Sequence, residues 1–283
     1  MIPVSFDYVR AGSVEEAVQL LEQHGDEAKV LAGGHTLIPM MKLRLAVPAT
    51  LIDITGIPQL DAIVRTGNRV VIGALATHAA LAASEELRQA APALWDAANQ
   101  LGDPQVRNRG TIGGASAHGD PAGDYPAVLL ALDATFTLVG PGGARELGAS
   151  EFFLGMCETA LGPGEILTRI AFDAAPNSAY TKYAHPASHY AVVGAAVALD
   201  LAHETIRSAR VALAGISDAA FRAGSAEQGL VGVDVRDGAA LKRACNGVAS
   251  GAEGRSDTFA SAAYRAAMAE IFVLRAIERA AAH

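Results

Sequence analysis

The chain has 283 residues, of which 51% are hydrophobic and 18% charged, a composition typical of a folded globular protein rather than a disordered one. Its formal net charge of -8 argues against a nucleic-acid binder, because binding to phosphates needs a basic surface. No apolar run approaches the roughly 18 residues of a membrane span, and the start of the chain shows no secretory signal pattern.

The two cysteines, Cys157 and Cys245, are far apart in the sequence and form no Cys-x-x-Cys pair. This usage is typical of the reducing cytoplasm, which is where we expect the protein. Two isolated thiols are too few for an iron–sulfur cluster with four cysteine ligands. Any such cluster is therefore expected in a partner protein.

Residues 1–56 predict a first unit of alternating strands and helices. Ser13 and Glu16 form a capping-box pattern in front of a helical run, and Gly25 stands where a C-terminal cap is expected. A short apolar strand then leads into the glycine turn "LAGGHT" (Leu31–Thr36), which is followed by a helical segment and the strand "TLIDI". The pattern indicates an α/β unit.

A second α/β unit is predicted for residues 57–175. It opens with the strand "RVVIGALA", and Thr77–Leu101 is expected to be helical with a break at Pro92. A second glycine-rich turn, "RNRGTIGGASAHGDPAGD" (Arg107–Asp124), comes next. The helix that follows has Pro126 in its first turn, where proline is tolerated.

The composition shifts after about residue 175, where a third unit, 176–283, is predicted. Two β-rich runs, "YAVVGAAVALDL" and "SARVALAGI", are separated by a polar turn. The chain closes with two alanine-rich segments, at about 237–249 and 257–281, which predict helices.

The two glycine turns point to an anionic ligand. Consecutive glycines permit positive φ and let a ligand approach backbone amides, and a turn that presents several N–H groups in one direction binds anions. Gly33–Gly34 and Gly113–Gly114 each predict such a turn, with the hydroxyls of Thr36 and Thr111 nearby. Two such turns suggest two anionic points, such as the diphosphate of a dinucleotide. The ordinary alternative is a pair of structural turns.

The sequence matches neither the other common glycine motifs of nucleotide-binding proteins nor a standard metal site. Neither run has the lysine of a P-loop or the Gly-x-Gly-x-x-Gly pattern of a Rossmann fold. His118, Asp120 and Asp124 suit no standard zinc spacing, and no second His or Cys cluster completes them, so no metal site is predicted. Asp124 is expected either to cap the following helix or to accept a hydrogen bond from a ribose hydroxyl.

With both glycine turns in view, the sequence resembles the FAD-binding subunits of molybdenum hydroxylases, in particular the medium subunit of aerobic carbon monoxide dehydrogenase. The segments "LAGGHTLIPMMKLRLAVPATLIDI" and "LGDPQVRNRGTIGGASAHGDPAGDYPAVLLALDA" carry the resemblance, which extends to "SAAYRAAMAEIFVLRAIERA" near the C-terminus. It implies an α+β protein with a PCMH-type, vanillyl-alcohol-oxidase-like FAD-binding fold. Its two α/β subdomains would be 1–56 and 57–175, and the C-terminal α+β domain, 176–283, would combine an antiparallel sheet with helices.

The resemblance also implies which residues contact FAD. The expected contacts are Ala32, Gly33, Gly34, His35, Thr36, Thr111, Gly113, Gly114, Ala115, Asp124, Leu167, Lys182 and Tyr190. Leu167 would lie near the flavin ring, Lys182 would be a basic contact to the cofactor, and Tyr190 would pack on the isoalloxazine. As ordinary structural residues these three would be strand core, a solvated lysine and a core aromatic. His185 and Pro186 stand where the family commonly has a basic pair.

The sequence offers no nucleophile–base pair and no paired catalytic carboxylates, which is consistent with an oxidoreductase whose cofactor carries the chemistry. The resemblance implies a complex in which a large subunit oxidises substrate at a molybdenum cofactor and a small iron–sulfur subunit relays electrons through [2Fe–2S] clusters. This chain's FAD would pass them to an external electron acceptor, in a dimer of heterotrimers. Two alternatives remain at this point: a self-contained FAD oxidase of the same fold, and a non-catalytic nucleotide-binding regulator.

Overall fold

The structure, a computed structural model, describes residues 1–283. The strands are β1 Asp7–Arg10, β2 Ala28–Leu31, β3 Thr50–Asp53, β4 Ile63–Thr66, β5 Arg69–Gly73, β6 Thr135–Gly140, β7 Gly143–Gly148, β8 Phe153–Gly155, β9 Glu158–Thr159, β10 Ile166–Asp173, β11 Ser178–Ala184, β12 Ala191–Ala202, β13 Thr205–Ala214 and β14 Phe221–Arg222. The helices are α1 Val14–His24, α2 Leu37–Lys42, α3 His78–Ala83, α4 Glu85–Ala90, α5 Pro92–Gln100, α6 Pro104–Arg107, α7 Ile112–His118, α8 Asp124–Ala131, α9 Ala149–Phe152, α10 Gly224–Leu230, α11 Gly238–Cys245 and α12 Ala262–Ala281, with a 3-10 turn at Gly25–Glu27. None of the helices combines the length and the apolar surface needed to cross a membrane.

The first sheet is parallel, with strand order β1-β3-β2, and α1 packs on it. The predicted caps of α1 are present: the Ser13 hydroxyl accepts a hydrogen bond from the Glu16 amide, and Gly25 closes the helix at φ 54°. The return bond of a capping box differs, because the Glu16 carboxylate accepts from the Gly12 amide instead of the Ser13 amide. Ala17 and Val18 face the sheet and are buried in its core. Local sequence signals therefore account for the helix and strands of this unit. The glycine turn that follows β2 lies at the carboxyl edge of the sheet.

The second sheet has the order β4-β5-β10-β6-β7 and is antiparallel. Its core includes buried residues of α3, α4, α5 and α8. The helical prediction for Thr77–Leu101 was incomplete, because this segment contains three helices instead of two. One break falls before Pro92 as expected, but a second occurs at Ser84, whose hydroxyl accepts from the Leu87 amide and starts a new helix. The N-cap at Ser84 therefore divides the predicted helical segment into α3 and α4.

The third sheet is antiparallel, in the order β11-β12-β13-β14. Strand β12 is buried along its first nine residues because α8 and α5 contact it on the side of the second unit and α12 packs on it as well. Alanine and glycine predominate in that stretch, which lets helices approach closely on both faces. The domain divisions at residues 56 and 175 stay a prediction.

Candidate functional site

A cavity of about 840 Å³ lies between the first sheet's unit and the second. This volume is typical of a cofactor or small-molecule site. Ten of the predicted contacts line it: Ala32, Gly33, Gly34, His35, Thr36, Thr111, Gly113, Gly114, Ala115 and Leu167. The other three, Asp124, Lys182 and Tyr190, do not line it. The structure thus brings the two glycine turns together although they are far apart in the chain.

The first glycine turn, residues 33–36, presents unbonded backbone donors. The amides of Gly33, Gly34, His35 and Thr36 donate to no backbone or side-chain acceptor in the chain. Gly34 adopts φ +73°, which favours glycine, and α2 starts directly after the turn. These residues are half-buried, and His35 is exposed, so their amides are accessible to a ligand. Four successive free amides beside a cavity fit an anionic ligand group such as a diphosphate.

Gly33 is also the point at which the two turns touch. A Cβ at this position would lie 2.1 Å from the carbonyl oxygen of Arg109 and 2.9 Å from the Cα of Gly110. These are backbone atoms, so the clash could not be relieved by a side-chain movement. Only glycine lets the first turn close on the start of the second turn and complete this wall of the cavity.

The second glycine turn differs from the expectation that it would be a second open anion site. The amides of Ile112 and Gly113 donate to the carbonyls of Ala76 and Ala74, at 3.0 and 2.8 Å. The Gly114 amide donates to the Thr111 hydroxyl, and the Ala115 amide donates to the Thr111 carbonyl. The local reason is that α7 begins here with Thr111 as its N-cap. Within residues 111–115, only the Thr111 amide remains free.

His78 contacts the second turn and was not predicted as a site residue from the sequence. Its amide donates to the Gly110 carbonyl at 3.0 Å, and its ring Nδ1 is 2.9 Å from the hydroxyl of buried Tyr125. Burial, reinforced by the positive charges of His35 and Arg107, lowers the pKa of His78 to about 4. The imidazole is therefore neutral near pH 7. Its place directly after a predicted strand, at a helix start, is the signal that could have identified it.

Asp124 and Lys182 form a buried ion pair away from the cavity. The Lys182 ammonium donates to Asp124 Oδ2 at 3.1 Å, and the Tyr180 hydroxyl donates to Asp124 Oδ1 at 2.5 Å. Burial raises the pKa of the Asp124 carboxyl, and the Lys182 charge opposes that rise. Gly194 is required beside this group, since a Cβ there would lie 2.4 Å from the Tyr180 hydroxyl. The FAD contacts predicted for Asp124 and Lys182 stay predictions.

Lys182 also connects the ion pair to Tyr190. Its ammonium donates to the carbonyls of Gln100 and His189, each at 3.0 Å, and His189 precedes Tyr190. Tyr190 is 46% exposed and lines a separate cavity of about 240 Å³. The pair therefore fixes the backbone that carries this aromatic ring, whose predicted contact with the flavin stays a prediction.

The unusual His185–Pro186 segment is internally ordered. The amides of Ala187 and Ser188 donate to His185 Nδ1, at 3.2 and 3.3 Å, and the His185 ring packs on Phe259 with ring centres 4.4 Å apart. The imidazole therefore takes part in a turn and in packing against the C-terminal region.

Comparisons with known proteins agree with this arrangement. Two family models match the chain: the FAD binding domain in molybdopterin dehydrogenase over residues 4–173 and the CO dehydrogenase flavoprotein C-terminal domain over residues 178–280. The chain is 41% identical to the carbon monoxide dehydrogenase medium chain of Hydrogenophaga pseudoflava, covering 99% of this chain and 98% of that protein.

Two further relatives cover the whole length. The chain is 35% identical to the glyceraldehyde dehydrogenase medium chain of Sulfolobus acidocaldarius, over 99% of this chain and 100% of that protein. It matches a crystal structure of the Cu,Mo-CO dehydrogenase, in its cyanide-inactivated form, with a TM-score of 0.94 at 40% identity, covering 100% of this chain and 99% of the matched chain. The two sheets that border the cavity and the third sheet therefore have counterparts in a chain of an oxidoreductase.

Proposed function

This chain belongs to the molybdopterin dehydrogenase FAD-binding family, and from that premise we propose that it is the FAD-carrying medium subunit of a molybdenum hydroxylase similar to carbon monoxide dehydrogenase. The proposed partners are a small subunit with [2Fe–2S] clusters and a large subunit with the molybdenum cofactor, assembled as a dimer of heterotrimers. Electrons would pass from the clusters to the FAD and on to an external electron acceptor. The two free cysteines support a cytoplasmic location.

The observation that carries this proposal is the row of free amides at Gly33–Thr36 beside a cavity of about 840 Å³. A hydrogen bond to a charged group contributes about 1.5–3 kcal/mol net. Four such bonds would supply a large part of the roughly 8 kcal/mol of a micromolar ligand, without any lysine. The residues present therefore fit a dinucleotide diphosphate.

FAD supplies the redox chemistry when it is bound, and the chain's own residues bind and orient it. We assign the diphosphate to the Gly33–Thr36 amides on one side and to the amide of Thr111 on the other. Leu167, 5% exposed on β10, would form an apolar surface beside the flavin ring. Tyr190 would pack against the ring, and the Asp124–Lys182 pair would hold Tyr190 in place.

The proposal assigns substrate oxidation to the large subunit. Medium chains similar to this one along their whole length belong to proteins named for carbon monoxide and for glyceraldehyde. Because chemically different substrates occur with similar medium chains, the substrate is expected to be selected outside this fold. The function of this chain is then to position the flavin between an internal electron donor and an external acceptor.

The test is purification of the tagged chain from its native host, with flavin, iron and molybdenum measured on the same sample. The expected result is about one FAD per chain together with companion subunits that carry iron and molybdenum. Flavin in a lone chain that oxidises an organic substrate would instead identify a self-contained oxidase. Nucleotide binding without a flavin absorbance band would identify a regulator, and either result would overturn the proposal.

A further inference from the structure

Three metal-ligating side chains meet beside the cavity. One ligand atom each from His118, Asp120 and Cys157 lie within 4.8 Å of one another. His118 Nε2 is 3.9 Å from Cys157 Sγ, and His118 also lines the large cavity. None of the three belongs to the predicted FAD contacts. The cluster therefore borders both cavities, since His118 lines the large one and Asp120 lines the small one beside Tyr190, but it shares no residue with the predicted FAD contacts.

The fold holds this arrangement through one close contact. His118 ends α7, and Gly119 turns the chain at φ +63° toward Asp120. A Cβ at Gly119 would lie 2.8 Å from Thr159 Cγ2, so its absence lets the β8–β9 hairpin pack against the end of α7. Cys157 lies in the turn of that hairpin with φ 53°, an unusual conformation for a non-glycine residue. The hairpin thereby places the thiol opposite the imidazole.

The distances and donor types suit zinc. Zinc–nitrogen and zinc–sulfur bonds of about 2.0–2.1 and 2.3 Å at a tetrahedral angle put the two ligand atoms about 3.6 Å apart. The observed separation of 3.9 Å needs only a small side-chain adjustment. One nitrogen, one sulfur and one oxygen donor are ligands that zinc accepts together. We infer that His118 Nε2, the Asp120 carboxylate and the Cys157 thiolate bind one Zn²⁺, with a water molecule at the fourth position.

The three side chains are free to act as ligands. Asp120 Oδ1 accepts a hydrogen bond from the Ala122 amide at 2.8 Å, while Oδ2 accepts none within the chain. Cys157 is exposed, which provides an entry path for the ion. A cysteine binds zinc as the thiolate, whereas an ordinary free thiol is protonated near pH 7. Zinc binding is expected to release that proton.

The test uses the full-length chain, first freed of metal with a chelator and then titrated with Zn²⁺ or Co²⁺. We expect about one equivalent to bind, with proton release in calorimetry. Co²⁺ should show the d–d bands of a tetrahedral site and a thiolate charge-transfer band. Cys157→Ser should abolish the charge-transfer band. Asp120→Asn keeps the acceptor for Ala122 but removes the anionic ligand. Loss of a residue that only hydrogen-bonds a metal ligand weakens metal affinity by roughly 10- to 100-fold, so loss of the ligand itself should weaken it at least as much.

Cys245→Ala is the matched control, because Cys245 is the other free thiol and is buried in the third unit. It should leave binding unchanged. The inference is overturned if the wild-type chain shows no saturable binding, or if Cys157→Ser binds as tightly as wild type. FAD content is measured in every sample, so that failure of flavin binding and failure of metal binding are distinguished.

Discussion

The two glycine turns that border the cavity have similar compositions but use their glycines differently. In the first turn, residues 33–36 leave four backbone amides without an acceptor in the chain. In the second turn, residues 112–115 have every amide bonded, to Ala74, to Ala76 or to Thr111. The first turn thus offers donors to a ligand, whereas the second forms a fixed wall.

The missing Cβ of glycine has two different consequences in the two turns, because it permits both close approach and a positive φ. At Gly113 a Cβ would lie 2.5 Å from the carbonyl oxygen of Ala74, so glycine allows α7 to pack on the chain's own backbone. At Gly34 the backbone has φ +73°, so glycine allows a conformation that exposes amides. Consecutive glycines therefore indicate close approach without indicating whether the neighbour is a ligand or the protein.

The largest effect is expected for Gly33→Ala, which places a methyl group 2.1 Å from the Arg109 carbonyl oxygen and separates the two turns. We expect FAD affinity to fall by at least about 100-fold, equivalent to about 2.7 kcal/mol, together with a lower free energy of unfolding. Flavin fluorescence titration and urea unfolding measure the two quantities.

Gly142→Ala is the control for that experiment, because Gly142 lies in the β6–β7 turn and a Cβ at this position would have no atom within 4 Å. It should change neither quantity. Wild-type FAD affinity in Gly33→Ala would show that the cavity wall tolerates separation of the turns and would remove Gly33 from the proposed site.

A smaller effect is expected from protonation of His78, which supports the second turn. Since the folded-state pKa of about 4 lies below the ordinary 6.5, the unfolded state binds more protons between these values. The contribution of neutral His78 to the free energy of unfolding should thus be fully present above about pH 6.5, and the free energy should be lower by about 2 kcal/mol at about pH 5. Urea unfolding at both pH values measures this loss.

The comparison variant is His78→Asn, whose side-chain amide can still bond the Tyr125 hydroxyl but does not titrate. This part of the pH dependence should disappear in the variant. An equal loss of stability in the variant and in the wild type would assign the acid sensitivity to other groups.

The smallest effect is expected for Thr111→Ala, which removes the N-cap of α7 and frees the Gly114 amide. Loss of such a cap costs about 1 kcal/mol of stability. If the first turn supplies most of the diphosphate donors, FAD affinity should change by less than about threefold. A threefold change corresponds to well under the 1.4 kcal/mol of a tenfold change in affinity. Thr111→Ser should restore the stability. A large loss of affinity at full stability would instead make the second turn the main binding element.

Local patterns in the sequence determined the elements and the general position of the site. The Ser13 cap, the Gly25 stop and the strand–glycine–helix order of the first turn depend on neighbouring residues, and each is present in the structure. The second turn follows the helix α6 instead of a strand, so that order is wrong for it. The break at Ser84 was missed because a hydroxyl that can cap a helix was read as part of a continuous helical run. The glycine motifs by themselves predicted a dinucleotide diphosphate, and the family resemblance that they carry implied the FAD-binding α+β fold of the family to which the chain belongs.

Only the tertiary structure decided which groups are used and which are free. Whether the amides of a glycine turn are bonded depends on distant carbonyls such as those of Ala74 and Ala76. Lys182 reaches Asp124 across 58 positions, and Cys157 faces His118 across 39 positions. Such pairs have no short-range period or spacing in the sequence. They form because the packing of sheets and helices brings separate segments to one place.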